Sequence, residues 1–318
     1  MKKLLILSVL ALGYQTASAQ LVTESFGTGG NAFTMDFVTI GNPGNAADTT
    51  GRPNPAGSVA YTYNLGKYEV SRDQIDKANS AGSLGITLED MGSYGGNGAN
   101  KPATGVSWYE AAKYVNWLNT STGNTAAYKF DGSGTFQLWI AGDAGYNANN
   151  LFRNSLAKYW LPSLNEWYKG AYGNLNGTWN NFPTGSDSAP TAIASGTAAN
   201  TAVYNQSFPA GPADINNAGG LSPYGTMGQG GNVMEWNETS FDGSNNIAGE
   251  NRELRGGSWN LDAYFLASST QDNYDLYPSQ ESYISGFRVA SVPEPSTGLL
   301  VVLGLGGLLL KRRKTVTV

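Results

Sequence analysis

Glycine interrupts this chain so often, 42 times in 318 residues, that few helices or strands of ordinary length can be sustained along it. Thirteen prolines add further turn chemistry, while aromatic residues still reach 12%. A chain rich in both turn formers and large apolar rings is expected to bury a real core beneath long loops, not to stay disordered. The expected class is therefore α+β, with few helices and short strands.

Three helix starts use one device. Ser71 with Gln74, Ser107 with Glu110 and Ser163 with Glu166 each read as a capping box, in which a hydroxyl and a side chain three residues on satisfy each other's backbone amides. The first predicts a helix over Ser71–Ala81. The second puts Trp108, Ala111, Ala112, Val115 and Leu118 on one face, and the third does the same for Leu164, Trp167, Tyr168 and Ala171. Strand-like runs lie at Phe33–Ile40, Tyr61–Val70, Phe136–Ile140 and Gly286–Ala290. Between Gly173 and Pro223 there is almost no periodicity, so that stretch is expected to be ordered by something other than regular elements, such as an ion or packed aromatic rings.

Two zeros limit the chemistry. There is no Cys and no His anywhere in the chain. Disulfides, thiolate nucleophiles and cysteine-ligated zinc, copper or iron are thereby excluded, as are Ser-His-Asp triads and imidazole-held iron. Carboxylates, Lys, Tyr, Ser and backbone groups remain, and oxygen ligands are all that calcium requires. A glycosidase needs two carboxylates at suitable separation, but neither Asp242–Glu253 nor Asp262–Glu281 singles out a pair.

The two ends read as addresses. Lys2-Lys3, the apolar run Leu4–Gly13 and Ala17-Ser18-Ala19 have the order of a secretory signal over residues 1–19. At the other end Val292-Pro293-Glu294-Pro295 precedes the apolar run Gly298–Leu310 and the basic cluster Lys311-Arg312-Arg313-Lys314. Those 13 apolar residues fall short of the ~20 wanted for a permanent span. The tail, 293–318, resembles the PEP-CTERM sorting signal of Gram-negative bacteria. The resemblance implies an exosortase-type sorting enzyme as partner, with membrane attachment through the tail before processing. It also implies a destination in the cell envelope, at the surface or in the extracellular matrix. A plain membrane anchor is the alternative. Six of the 19 Lys and Arg but one of the 24 Asp and Glu lie in these ends, so residues 20–292 carry 13 basic and 23 acidic side chains. Such an acidic domain has no footprint for nucleic acid.

Along residues 33–290 a series of short motifs follows one order. These are Phe37-Val38-Thr39-Ile40-Gly41-Asn42, Gly66-Lys67-Tyr68-Glu69-Val70-Ser71 and Pro102-Ala103-Thr104-Gly105-Val106-Ser107-Trp108. Then come Tyr159-Trp160-Leu161-Pro162-Ser163, Gly230-Gly231-Asn232-Val233-Met234-Glu235-Trp236, Arg255-Gly256-Gly257-Ser258-Trp259 and Gly286-Phe287-Arg288-Val289-Ala290. In this order they resemble the sulfatase-modifying factor (formylglycine-generating enzyme) domain. The resemblance implies a loop-rich variant of the C-type lectin fold over 20–292, with bound calcium. Catalysts of that family oxidise a sulfatase cysteine with Cu(I) held by two thiolates, and the matching positions here are Leu261 and Leu266. Apolar side chains hold no soft metal. A related branch uses iron held by histidines of an additional domain, and both are missing here. Copper, zinc and iron are accordingly not expected.

By the same resemblance calcium would be held by the Glu235 carboxylate with the carbonyls of Gly231 and Val233, Gly228 standing where a further oxygen ligand belongs. A second ion would fall near Asn200 and Asp214. The alternative is that Glu235 pairs structurally. Gly256-Gly257 is expected to make a positive-φ turn, Arg288 to be a satisfied buried cation, and Trp108, Trp117, Trp160, Trp167, Trp236 and Trp259 to be core. The functional expectation is a non-catalytic module for a glycan or surface-protein partner. An enzyme of the same class using another route, or a self-assembling envelope protein, stays open beside it.

Overall fold

The computed structural model describes residues 20–271 and 276–293. The expected signal, 1–19, and the apolar run and basic cluster of the expected tail lie outside these residues. Among the described residues no helix is long and apolar enough to cross a membrane.

In chain order the elements are β1 (Leu21–Phe26), β2 (Phe33–Ile40), β3 (Tyr63–Gly66), α1 (Arg72–Gly82) and α2 (Trp108–Ser121). Then follow β4 (Lys129–Phe130), β5 (Phe136–Gln137), β6 (Tyr159–Trp160), α3 (Leu164–Tyr172), β7 (Thr191–Ala192) and β8 (Thr201–Ala202). The last are β9 (Met234–Ser240), β10 (Arg252–Arg255), β11 (Ser285–Gly286) and β12 (Ala290–Ser291). All three helices start as expected. Ser71, Ser107 and Ser163 are N-caps with both halves of the capping box formed. The expected buried stripes are buried, Trp108, Val115, Leu118, Trp167 and Tyr168 among them.

The main sheet is antiparallel in the order β1-β2-β3-β12-β6, so the last strand of the domain lies between the third and the sixth. It twists far enough for its two edges to meet through side chains. Phe26 of β1 and Tyr159 of β6 have ring centroids 5.2 Å apart, and Lys158 Nζ lies 2.9 Å from Glu24 Oε2. A smaller sheet, β10-β9-β11, packs near α3 and mixes an antiparallel with a parallel pairing.

Several expected strands are shortened or divided. The run 61–70 keeps only Tyr63–Gly66, because the Gly66 amide turns to the Val289 carbonyl (2.7 Å) and the Val70 amide to that of Phe287 (2.9 Å). The run 286–290 is a crossover, not one strand. Ser285–Gly286 pairs with the small sheet and Ala290–Ser291 with the large one, while Phe287, Arg288 and Val289 between them are buried. Phe136–Ile140 shrinks to β5, and beyond it the Trp139 amide bonds the Leu151 carbonyl at 2.9 Å. Strands β1, β9 and β10 had no signal above their surroundings. The aperiodic stretch 173–223 contains only the strand pair β7–β8, and packed rings such as Trp179 on Tyr168 (5.5 Å) secure it, with Val203, Ala213 and Ala218 sunk into the core.

Candidate functional site

The small sheet and the crossover meet at a fully buried ion pair. Arg288 Nε donates to Glu235 Oε2 and Nη2 to Oε1, both at 2.6 Å. Trp167 Nε1 adds a bond to Oε2 at 2.7 Å. The remaining guanidinium donors reach the carbonyls of Gly66 (2.7 Å) and Met227 (2.8 Å), so the planar fork of Arg288 ties both sheets to the loop before β9. Beside it Glu69 is also buried, accepting from Asn232 Nδ2 at 2.7 Å. Burial, reinforced by the Glu235 charge and opposed by Arg288, pushes the Glu69 carboxyl well above the usual carboxylate range. Arg288 is thus the satisfied buried cation its surroundings suggested.

This arrangement does not fit calcium at Glu235. Both carboxylate oxygens face a guanidinium at hydrogen-bonding distance, and a dication placed there would meet that positive charge instead of further oxygens. Gly231 and Val233 are buried with Glu235; the Val233 amide donates to Glu69 Oε1 (3.3 Å) and the Gly231 amide to the Gly256 carbonyl (2.8 Å). Asn200 is exposed at φ 55°; its Oδ1 accepts from Thr184 and its carbonyl from the Thr191 amide. Asp214, expected beside it, lies 3.6 Å from Lys101 Nζ. Among the described residues no three acidic side chains converge on one point.

The segment that carries thiolates in copper-using relatives is packed here with hydrocarbon. Gly256 and Gly257 both have positive φ (100° and 69°). A Cβ at Gly257 would lie 2.9 Å from Leu266 Cδ1, so the turn is closed directly over the Leu266 side chain. Leu266 is fully buried and Leu261 packs half-buried against the core. Ser258 Oγ is spent on Asn260 Oδ1 at 2.7 Å. With no thiolate, this segment can neither hold a soft metal through sulfur nor form a disulfide with a substrate thiol.

Two further groupings were not legible as sites. Glu166 and Glu238 converge on Arg153, at 3.5 Å and 3.4 Å. Glu166 also accepts from Tyr61 Oη and Trp160 Nε1, and Glu238 from Tyr128 Oη and Asn150. Burial raises Glu238, with Arg153 pulling the other way; for Arg153, burial is outweighed by the two glutamates, which hold it above the ordinary arginine value. A carboxylate pair bridged by a guanidinium leaves no room for a glycosidic bond between the acids. The sequence signalled only Glu166, as a cap. The second grouping is aromatic: Tyr94, Phe208 and Tyr283 surround Trp259 at 5.8–6.5 Å, with Tyr94 stacked on Tyr283 at 5.2 Å. Trp259 is fully buried while Phe208 is 54% exposed, so the cluster forms an apolar ledge at the surface beside the Leu261 segment. Its members are far apart in sequence, and no periodicity joins them.

Comparison with known proteins agrees with the geometry. Residues 25–292 match the model of the sulfatase-modifying factor enzyme 1-like domain, and residues 291–314 match the PEP-CTERM protein-sorting motif. The curated proteins contain no match. Among solved structures, Treponema denticola variable protein 1 is similar at a TM-score of 0.58 and 19% identity, covering 86% of this chain and 99% of that one. CarF is similar at 0.57 and 19%, covering 82% and 99%. PvdO from Pseudomonas aeruginosa is similar at 0.54 and 17%, covering 85% and 98%. At these identities the likeness is one of fold. The sorting motif makes this an exported protein of a Gram-negative cell envelope and implies recognition by an exosortase-type enzyme. With the domain match spanning most of its length, the chain belongs to the family of sulfatase-modifying factor enzyme 1-like domains.

Proposed function

We propose that this protein is a non-catalytic binding module displayed at the cell envelope, where its loops and exposed rings contact a glycan or a protein partner. The observation that carries the reading is the pair Leu261 and Leu266, hydrocarbon where the family's oxidative chemistry needs two thiolates. The ion pair at Glu235 and the Arg153 cluster support it further, because their carboxylates are committed to guanidinium partners within the protein. What is left for a partner is surface: the ledge of Tyr94, Phe208 and Tyr283, and exposed rings such as Tyr264 and Tyr277.

The test has two arms. Full-length protein on an array of extracellular polysaccharides and envelope proteins should show saturable binding. A sulfatase-motif peptide incubated with the protein, oxygen and copper should keep its mass. Conversion of the peptide cysteine would overturn the reading in favour of an enzyme, and absence of binding across the array would turn it toward self-assembly.

A further inference from the structure

A cleft of about 340 Å³ opens between β2, α1 and the loop around Ile215, away from the Leu261 segment. Its size is at the lower end of small-molecule sites, ~300–1,000 Å³. Phe33, Met35, Tyr68 and Ile215 line its apolar part. Asp36, Asp73, Gln74, Asn100 and Asn216 supply the polar wall.

The wall is held in place by backbone. The amides of Arg72 and Asp73 bond the carbonyls of Lys101 (2.9 Å) and Ala99 (3.0 Å), and the Ile215 amide bonds that of Asn100 (2.9 Å). Gln74 is fixed by its two bonds, to the Ser71 amide and to the Thr34 carbonyl. Little ordering is therefore left for a ligand to impose. The side-chain amides of Asn100 and Asn216 make no hydrogen bond to any described residue, and each offers donors and an acceptor to the cleft. Asp36 is bonded through Oδ1 to Thr23 (2.6 Å), and Asp73 through Oδ2 to Lys77 (2.7 Å), which leaves one oxygen of each carboxylate without a partner among the described residues.

These features select a chemistry. The cation of the wall, Lys77, is already paired, and the open oxygens of Asp36 and Asp73 remain, with Glu69 buried behind them, so phosphate, sulfate and acidic sugars are disfavoured. A purely apolar ligand would strand the amides and carboxylates. A hexose ring matches both parts: its C–H face lies on apolar and aromatic surface, and its hydroxyls donate to carboxylates and exchange bonds with amides. We propose that this cleft is a subsite for a neutral hexose unit. The assignment rests on the binding-module reading and narrows its ligand.

The experiment titrates full-length protein with the methyl pyranosides of glucose, galactose and mannose and with N-acetylglucosamine, with galacturonate as the anionic control, followed by saturation-transfer NMR. At least one neutral sugar should bind saturably and galacturonate should bind more weakly. Asn100→Ala and Asn216→Ala, both at exposed positions, should each weaken that affinity about three- to tenfold with an unchanged melting temperature. The cleft assignment is overturned if no neutral sugar binds, if galacturonate binds as well as they do, or if neither variant changes the affinity. Envelope polysaccharide captured by the wild type and by both variants alike would sink the cleft while leaving the binding module standing.

Discussion

The interior around Glu235 and the segment around Leu266 both lie within the matched domain, yet they are built from opposite chemistry. At Glu235 a carboxylate, a guanidinium and an indole are kept, and the bonds of that carboxylate and most of the guanidinium donors can be accounted for. At Leu266 the side chains are apolar, and hydrocarbon fills the space under the Gly256-Gly257 turn. The difference follows from what each group holds. Arg288 links two sheets and a loop, and its loss would strand a buried charge. Leu261 and Leu266 fill space at the end of one loop and link no other elements through polar bonds.

That contrast can be broken at its stronger end first. Arg288→Met should destabilise the protein by about 3–5 kcal/mol in urea unfolding, because it leaves Glu235 buried without its counter-ion. A loss below about 1 kcal/mol would mean that the pair is not the architectural link argued above. Next, Leu266→Ala should cost about 3 kcal/mol and Leu261→Ala less, in step with full and partial burial. Equal and negligible costs at both would show that the segment has kept an open site instead of a packed one. The smallest expected effect is a pH slope.

The slope belongs to Glu69, whose folded-state pKa lies above its ordinary value of 4.5. Below 4.5 both folded and unfolded chains hold the proton and stability is complete. As pH rises the unfolded chain ionises first, so stability declines toward the folded-state pKa. Glu69→Gln should therefore flatten the fall in melting temperature between mildly acidic and alkaline pH, and an unaltered slope would show Glu69 to be ionised in the folded protein.

Much of the local structure was legible. The capping boxes at Ser71, Ser107 and Ser163 form as their sequence predicts, because each is decided within four residues of chain. The buried helix faces followed from period alone, and the absence of thiolates from composition. The crossover at Phe287–Val289 was not legible as such, because a five-residue strand-like run is the same whether one sheet or two receive it. Glu235 was equally ambiguous. Its motif reads as a loop with an oxygen ligand, while in the fold it lies on β9 opposite an arginine 53 positions later.

The chain's own residues determined where helices begin, which faces they bury, and that no thiol is available as nucleophile or ligand. Those are matters of local hydrogen bonding, periodicity and available side chains. Only the tertiary structure decided that Glu235 answers to Arg288, that Glu166 and Glu238 share Arg153, and that Asn100 and Asn216 open on one cleft. Such pairings join segments tens to more than a hundred residues apart, and a carboxylate takes its role from whichever group the fold brings within 3 Å or so of its oxygens.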